Sequence, residues 1–84
     1  MMPYTRLKNS TKKTIGTKQT MKAVQKNTAT LVYVAGDAES HVSNPLVELC
    51  KEKGIEVVIV DSMLELGKAC GIEVGSASAA VIAE

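Results

Sequence analysis

One glycine, two lysines and a glutamine in the segment GTKQTMK, which begins at Gly16, have the chemistry to bind an anion. Gly16 lets a ligand approach the backbone closely, and a helix beginning at Thr17 would present unpaired amides and the positive end of its dipole. Lys18 and Lys22 would add mobile positive charge, and the Gln19 amide can hydrogen-bond to base edges. An ordinary helix start with surface lysines has the same pattern, so this segment alone indicates a phosphate site only weakly.

A second segment, LGKACGIEVGSAS, ends a predicted helix and enters a loop. Ile72 and Val74 stand in this loop between Gly71 and Gly75. Two apolar residues are unusual in a solvent loop, so they either tuck under the fold or form a contact surface for extruded bases. The flanking glycines favour a loop that is held away from the core and shaped for close approach.

Catalytic and metal sites are not indicated. His41 is the only histidine, and the neighbouring acids Asp37 and Glu39 lie in a predicted loop where such residues are usually solvated. Cys50 and Cys70 occupy apolar positions of helical patterns and have no CxxC spacing, which predicts buried thiols rather than a disulfide or metal ligands. We therefore expect no enzyme activity, no metal and no cofactor.

The charge distribution favours a polyanionic partner. The first 36 residues carry seven basic side chains and no acid, whereas the remainder has nine acids against three lysines. A segment of charge +7 is thus joined to one of −6, although the net charge is only +1. A solvated face behind a loose basic N-terminus would give the same distribution.

Aromatic residues are too few for base stacking, since Tyr4 and Tyr33 are the only ones. GxxG, GxGxxG and Walker-type loops are also absent from the sequence. A nucleic-acid partner would therefore be bound by lysines, a helix N-terminus and an apolar clamp.

The hydrophobic pattern predicts the elements that position these segments. Helices and strands alternate along the chain, which predicts one α/β domain over residues 1–84, with helices on both faces of a sheet. Asn44 and Pro45 suggest the start of the second long helix, and Ser62 with Glu65 forms a capping box for the next. The expected elements are a weak helix over 1–13, an extended piece over 14–16, helices over 17–26, 45–53 and 63–70, strands over 30–35, 55–60 and 76–82, and loops over 36–41 and 72–75.

Lys18, Lys22 and Lys26 recur every four residues and should form one basic stripe on the outer side of the first long helix. No apolar run approaches the roughly 20 residues that span a bilayer, and no apolar stretch resembles a secretory signal. The expected location is therefore the cytoplasm, without membrane attachment, and the expected state is a monomer.

GTKQTMKAV, followed some fifty residues later by LGKACGIEVGSASAAVI, resembles the kink-turn RNA-binding family of ribosomal proteins, the L7Ae type. The Lys18-Gln19 pair and the short length look closest to its small bacterial YbxF-like members. The likeness covers residues 4–83, and LGKACGIEVG is its most specific part. It implies a three-layer α/β/α sandwich with a central four-stranded mixed sheet. The implied partner is structured RNA containing a kink-turn, in ribosomal RNA or a messenger leader.

Site residues follow from the resemblance position by position. Family members typically show Gly-x-Asn-Glu-x-x-Lys at the first site, where Asn and Glu contact sheared G·A pairs and Lys contacts the backbone. Gly16 and Lys22 match this pattern, whereas Lys18 and Gln19 stand in the Asn and Glu places. Gln19 can still accept from a guanine N–H without the charge assistance of a carboxylate, and Lys18 is better suited to phosphate.

The second site is the hydrophobic loop that cradles flipped bases, which Ile72, Glu73 and Val74 match. Glu39 falls in a loop where relatives place an acid near a flipped base. Relatives often carry a lysine where this chain has Met63, so one backbone contact is expected to be missing. The full RNA-binding set predicted is Gly16, Thr17, Lys18, Gln19, Lys22, Lys26, Glu39, Ile72, Glu73 and Val74. The alternative is a small protein-interaction module that docks through the Ile72/Val74 loop.

Overall fold

The computed structural model describes Leu7 and residues 12–82, and its centre is a four-stranded sheet in the order β1-β4-β2-β3. The strands are β1 (Lys13–Ile15), β2 (Ala29–Ala35), β3 (Glu56–Val60) and β4 (Ser78–Ile82). β2 and β3 are parallel, whereas β4 is antiparallel to both of its neighbours, β1 and β2. The predicted mixed sheet is therefore confirmed.

Helices cover both faces of this sheet, which confirms the three-layer α/β/α sandwich. The helices are α1 (Thr17–Gln25), α2 (Ser40–Lys53) and α3 (Met63–Cys70). Val32 and Val34 of β2 belong to the core under α1 and α2, whereas Tyr33 of the same strand belongs to the core under α3. This alternation follows from the two-residue repeat of a strand and explains why β2 is apolar almost throughout. Leu7, a helical residue with no exposed surface, packs on the α3 side.

The predicted start of α2 was wrong by several residues. The helix begins at Ser40, so His41 lies in its first turn rather than in a loop, and Pro45 lies inside it. The amides of Val42 and Ser43 both donate to the Glu39 carbonyl oxygen, at 3.0 and 3.1 Å, which closes the first turn before Pro45 is reached. Pro45 then removes one helical hydrogen bond whose carbonyl partner, at the exposed His41, can bind water.

Other boundaries agree more closely with the sequence prediction. Ser62 Oγ accepts from the Glu65 amide at 3.1 Å, as the capping box predicts, and Gly54 and Gly71 end their helices in the left-handed conformation. The strands over 56–60 and 78–82 each begin later than expected, the second by two residues. Of the weak helix expected over 1–13, Lys13 lies in β1, and the rest apart from Leu7 and Lys12 is outside the described residues.

Both cysteines are buried free thiols, which confirms that prediction. Burial raises the pKa of the Cys50 thiol. Burial also raises the pKa of Cys70, and the nearby positive charge of Lys13 offsets part of that rise. Both groups are therefore neutral near pH 7 and behave as small apolar core residues. Within residues 12–82 and at Leu7, no helix has the length and apolarity needed to cross a membrane.

Candidate nucleic-acid interface

Strand directions bring the two predicted site segments to the same edge of the sheet. β1 and β2 end, and β4 begins, at this edge, because β4 is antiparallel to both of them. The Gly16 amide donates to the Ser78 carbonyl oxygen at 2.8 Å, and the Ala35 amide donates to the Ala77 carbonyl oxygen at 2.9 Å. Residues 16–19, 36–39 and 71–77 therefore lie together, and we call this surface the loop edge.

The start of α1 presents unpaired amides at the loop edge. Gly16 precedes the helix with φ 94° and ψ 155°, no side chain caps this end, and its first turn contains no acidic residue. Thr20 is the first residue whose amide is bonded, to the Gly16 carbonyl oxygen at 3.0 Å. Among the described residues, the amides of Thr17, Lys18 and Gln19 have no acceptor. An anion placed here would meet three N–H donors and the positive end of the helix dipole.

Two pairs of hydroxyl groups fix this helix start on the sheet. Thr17 Oγ1 lies 2.7 Å from Ser78 Oγ, and Thr14 Oγ1 lies 2.8 Å from Thr20 Oγ1. Ser78 is only 1% exposed and Thr20 is fully buried, so one partner of each hydrogen bond is shielded from water. Thr17 therefore turns its hydroxyl inward and can offer a ligand its backbone amide.

The basic stripe leads away from the loop edge along α1. Lys18, Gln19, Lys22 and Lys26 are all exposed. Lys26 follows the last helical residue, about 13.5 Å along the axis from Thr17 at 1.5 Å per residue. Lys18 and Lys22 are thus close to the open amides, and Lys26 marks the far end of the stripe. A surface hollow of about 250 Å³ lies beside the helix, lined by Thr14, Gln19, Lys22, Ala23, Lys26, Thr28 and Ile82.

The apolar loop is clamped onto α3 by backbone contacts. The Ser76 amide donates to the Met63 carbonyl oxygen at 3.0 Å, and Ser76 Oγ donates to the Ser78 carbonyl oxygen at 2.7 Å. Gly67 leaves no room for a side chain, because a Cβ there would overlap the Val74 carbonyl oxygen and approach Gly75 Cα within 3.2 Å. The loop backbone therefore lies directly against the helix.

Ile72 and Val74 have different environments. Val74 is 68% exposed, and the prediction that the loop is held off the core is right for this residue. The prediction is wrong for Ile72, which is half buried and packs against the core that contains Leu66 and Ala69. The Ile72 amide donates to the Gly67 carbonyl oxygen and the Gly71 amide to that of Lys68, each at 3.0 Å. This is a Schellman motif, which places the residue after the left-handed glycine against the helix it has just left.

A model of the ribosomal protein L7Ae/L30e/S12e/Gadd45 family matches residues 3–84, nearly the whole chain. The chain belongs to this family. It is 53% identical over 69 residues to an RNA-binding protein of Caldanaerobacter subterraneus subsp. tengcongensis. This alignment covers 82% of this chain and 84% of that protein. It is 41% identical over 81 residues to the RNA-binding protein YbxF of Geobacillus stearothermophilus. This alignment covers 96% of this chain and 99% of YbxF.

A solved structure gives the same result. The 15.5kD RNA binding protein of Giardia lamblia superposes with a TM-score of 0.80 at 29% identity, covering 86% of this chain and 61% of that one. The suspected family, with its small YbxF-like members, is therefore confirmed. This L7Ae-family protein is RNA-binding and resembles ribosomal proteins.

Sequence reasoning did not assign a role to Asp37 in this L7Ae-family protein, and it treated Met63 only as the place of a missing backbone contact. Asp37 Oδ1 accepts a hydrogen bond from the Met63 amide at 2.7 Å, between residues 26 positions apart. Met63 is 36% exposed and the following Leu64 is 54% exposed, and Met63 packs under Gly75. The sequence signals at Met63 were its place directly after the Ser62 cap and the lysine that relatives often carry there.

Glu39 and Glu73 are both exposed. Glu39 precedes α2, and its Oε2 lies 3.2 Å from His41 Nε2. Both side chains of this pair are about three-quarters exposed, so the pair contributes little to stability. Of the two acids, Glu39 lies in the loop 36–39 and Glu73 in the loop 71–77. Within the described part of the chain, no group of three or more His, Cys, Asp or Glu side chains could hold a metal ion.

Proposed function

We propose that this protein recognises kink-turns in structured RNA and stabilises their bent form. The observation that supports the proposal is the proximity of an open, acid-free helix start and an exposed apolar loop. Gly16 and Thr17 of the first are bonded to Ser78, the residue of β4 that directly follows the second. The RNA-binding names of the relatives agree with a polyanionic partner.

The physical chemistry of a kink matches these two features. A kink-turn is a bulge followed by G·A pairs, and its sharp bend brings phosphates close together. Three unpaired amides with Lys18 and Lys22 would offset that repulsion. Bases extruded from the bulge need an apolar surface, which Val74 and the neighbouring Met63 offer without aromatic stacking. Because these contacts require the bent geometry, binding would shift the RNA towards it.

The proposed interface includes every predicted site residue in a narrower role. Thr17 contributes its amide, Lys26 a contact far along the stripe, and Ile72 the support beneath Val74. Gln19 hydrogen-bonds to the G·A pairs, and Lys18 contacts the neighbouring phosphate. The remaining members of the proposed set are Gly16, Lys22, Glu39, Glu73 and Val74. We also propose a cytoplasmic monomer without catalytic activity, metal or cofactor, whose target is ribosomal RNA or a structured messenger leader.

The direct test uses two RNAs of equal length, one with a bulge and G·A pairs and one with a continuous Watson–Crick duplex. We expect tighter binding to the first, with affinity that falls as salt rises, and a shorter end-to-end distance by fluorescence transfer when protein is added. Equal affinity for both RNAs would contradict the proposal. The comparisons do not support the protein-docking alternative, which would predict no salt-dependent RNA binding at all.

Substitutions in α1 should separate the charge of the site from its base reading. Lys22→Ala should weaken binding to both RNAs and reduce the slope of log affinity against log salt by about one unit or less, as for one lost phosphate contact. Gln19→Ala should leave the slope unchanged and reduce the preference for G·A pairs by roughly 1 kcal/mol. Fluorescence anisotropy across a salt series measures both quantities. Identical effects of the two substitutions on kinked and unkinked RNA would exclude these separate roles.

A further inference from the structure

Met63 connects two of the three segments of the loop edge through its backbone. Its amide donates to Asp37 Oδ1 at 2.7 Å, and its carbonyl oxygen accepts from the Ser76 amide at 3.0 Å. The first bond reaches the loop 36–39, which contains Glu39, and the second reaches the loop 71–77, which contains Val74. A single residue at the start of α3 therefore ties both loops together.

Asp37 is not the only side chain that caps α3. The Ser62 side chain already accepts from the Glu65 amide at 3.1 Å, and the Ser62 carbonyl oxygen accepts from the Leu66 amide at 3.1 Å. The Asp37 carboxylate adds a charge-assisted bond from a loop that is distant in sequence. Since Asp37 is exposed and acidic, it lowers the attraction of the surface for a polyanion. Any favourable effect of Asp37 on RNA binding must therefore come from the position of the loop 36–39 and not from its charge.

We propose that Asp37 is a positioning residue, which holds the loop 36–39 against α3 so that Glu39 and Val74 face the same extruded bases. The inference rests on the proposed function. The anchor at Gly36 supports it, since the Gly36 amide donates to the Val60 carbonyl oxygen at 2.8 Å. The loop 36–39 is thus fixed to β3 at its start and to α3 one residue later.

The experiment compares Asp37→Ala with Asp37→Asn. Both remove the same charge, but asparagine keeps an oxygen that can accept from the Met63 amide. We expect Asp37→Ala to weaken binding to kinked RNA about fivefold relative to Asp37→Asn, as for residues that influence a site without touching its ligand. The salt slope of the two variants should be equal. In heteronuclear NMR spectra, the Met63 and Ser76 amides and the Val74 methyls should shift further in Asp37→Ala than in Asp37→Asn.

Ser62→Ala is the matched control, because it removes another cap of α3 without releasing the loop 36–39. It should lower the melting temperature at least as much as Asp37→Ala while leaving kinked-RNA affinity within about twofold of the parent. Equal RNA affinities of Asp37→Ala and Asp37→Asn would overturn the positioning role. If Asp37→Ala does not fold, Asp37→Glu replaces it, since it keeps the charge but misplaces the carboxylate. Parent-like affinity of Asp37→Glu would also overturn the inference.

The two proposals can fail separately. If the parent protein prefers kinked RNA but Asp37→Ala and Asp37→Asn bind it with equal affinity, only the positioning role is excluded. A parent protein with no preference for kinked RNA removes the proposed function and the inference that rests on it.

Discussion

Gly67→Ala is expected to destabilise the protein by about 3 kcal/mol, although alanine normally stabilises a helix interior by about 1 kcal/mol relative to glycine. The sign reverses because the added Cβ would overlap the Val74 carbonyl oxygen and crowd Gly75. These are backbone atoms, so no side-chain rotation relieves the overlap and the whole loop must move. For a domain of this size the melting temperature should fall by roughly 15 °C.

Lys68→Ala is the matched control, since Lys68 is the exposed neighbour of Gly67 in the same helix. Its effect on stability should stay within about 0.5 kcal/mol. Thermal melts by circular dichroism measure both variants. At a temperature where Gly67→Ala remains folded, it should also bind kinked RNA less tightly, because the loop that presents Val74 has been displaced. A Gly67→Ala protein as stable as the parent would show that the loop does not lie against α3.

Local signals explain which parts of the fold were predictable. The sheet of apolar strands, the Ser62 cap and the helix-ending glycines each depend on a few neighbouring residues. The start of α2 was missed because Asn44 and Pro45 have the residue types of a helix start. The helix in fact begins one turn earlier, where amides bond to the Glu39 carbonyl oxygen. Both patterns are compatible with the local sequence, and the structure adds one turn ahead of Pro45.

The candidate site was predictable in composition but not in its internal connections. The lysine stripe, the open amides of α1 and the exposed Val74 follow from sequence pattern and resemblance. The bond between Thr17 and Ser78 joins residues 61 positions apart, and the bond from Met63 to Asp37 joins residues 26 apart. Such long-range bonds leave no local signature. The burial of Ile72, in contrast, had a signal, because an apolar residue after a helix-ending glycine is typical of the Schellman motif.

The different environments of Ile72 and Val74 separate two effects that a double substitution would combine. Ile72→Ser should lower the free energy of unfolding by about 1.5 kcal/mol, since a half-buried aliphatic side chain loses its contact with the core under α3. Val74→Ser should change stability by less than about 0.5 kcal/mol, because the side chain is 68% exposed. Urea denaturation followed by circular dichroism measures both values.

RNA affinity should follow the opposite order. Val74→Ser should weaken binding to kinked RNA about tenfold, which corresponds to the apolar area that an extruded base would cover. Val74→Thr keeps the branched shape and exchanges one methyl for a hydroxyl, so its affinity should lie between those of the parent and Val74→Ser. Folded Ile72→Ser should bind kinked RNA more tightly than Val74→Ser, since the half-buried Ile72 side chain offers an extruded base less contact area than Val74 does. Because neither substitution changes the charge, the slope of log affinity against log salt should equal that of the parent. A Val74→Ser protein with parent-like affinity would show that Val74 does not contact the extruded bases.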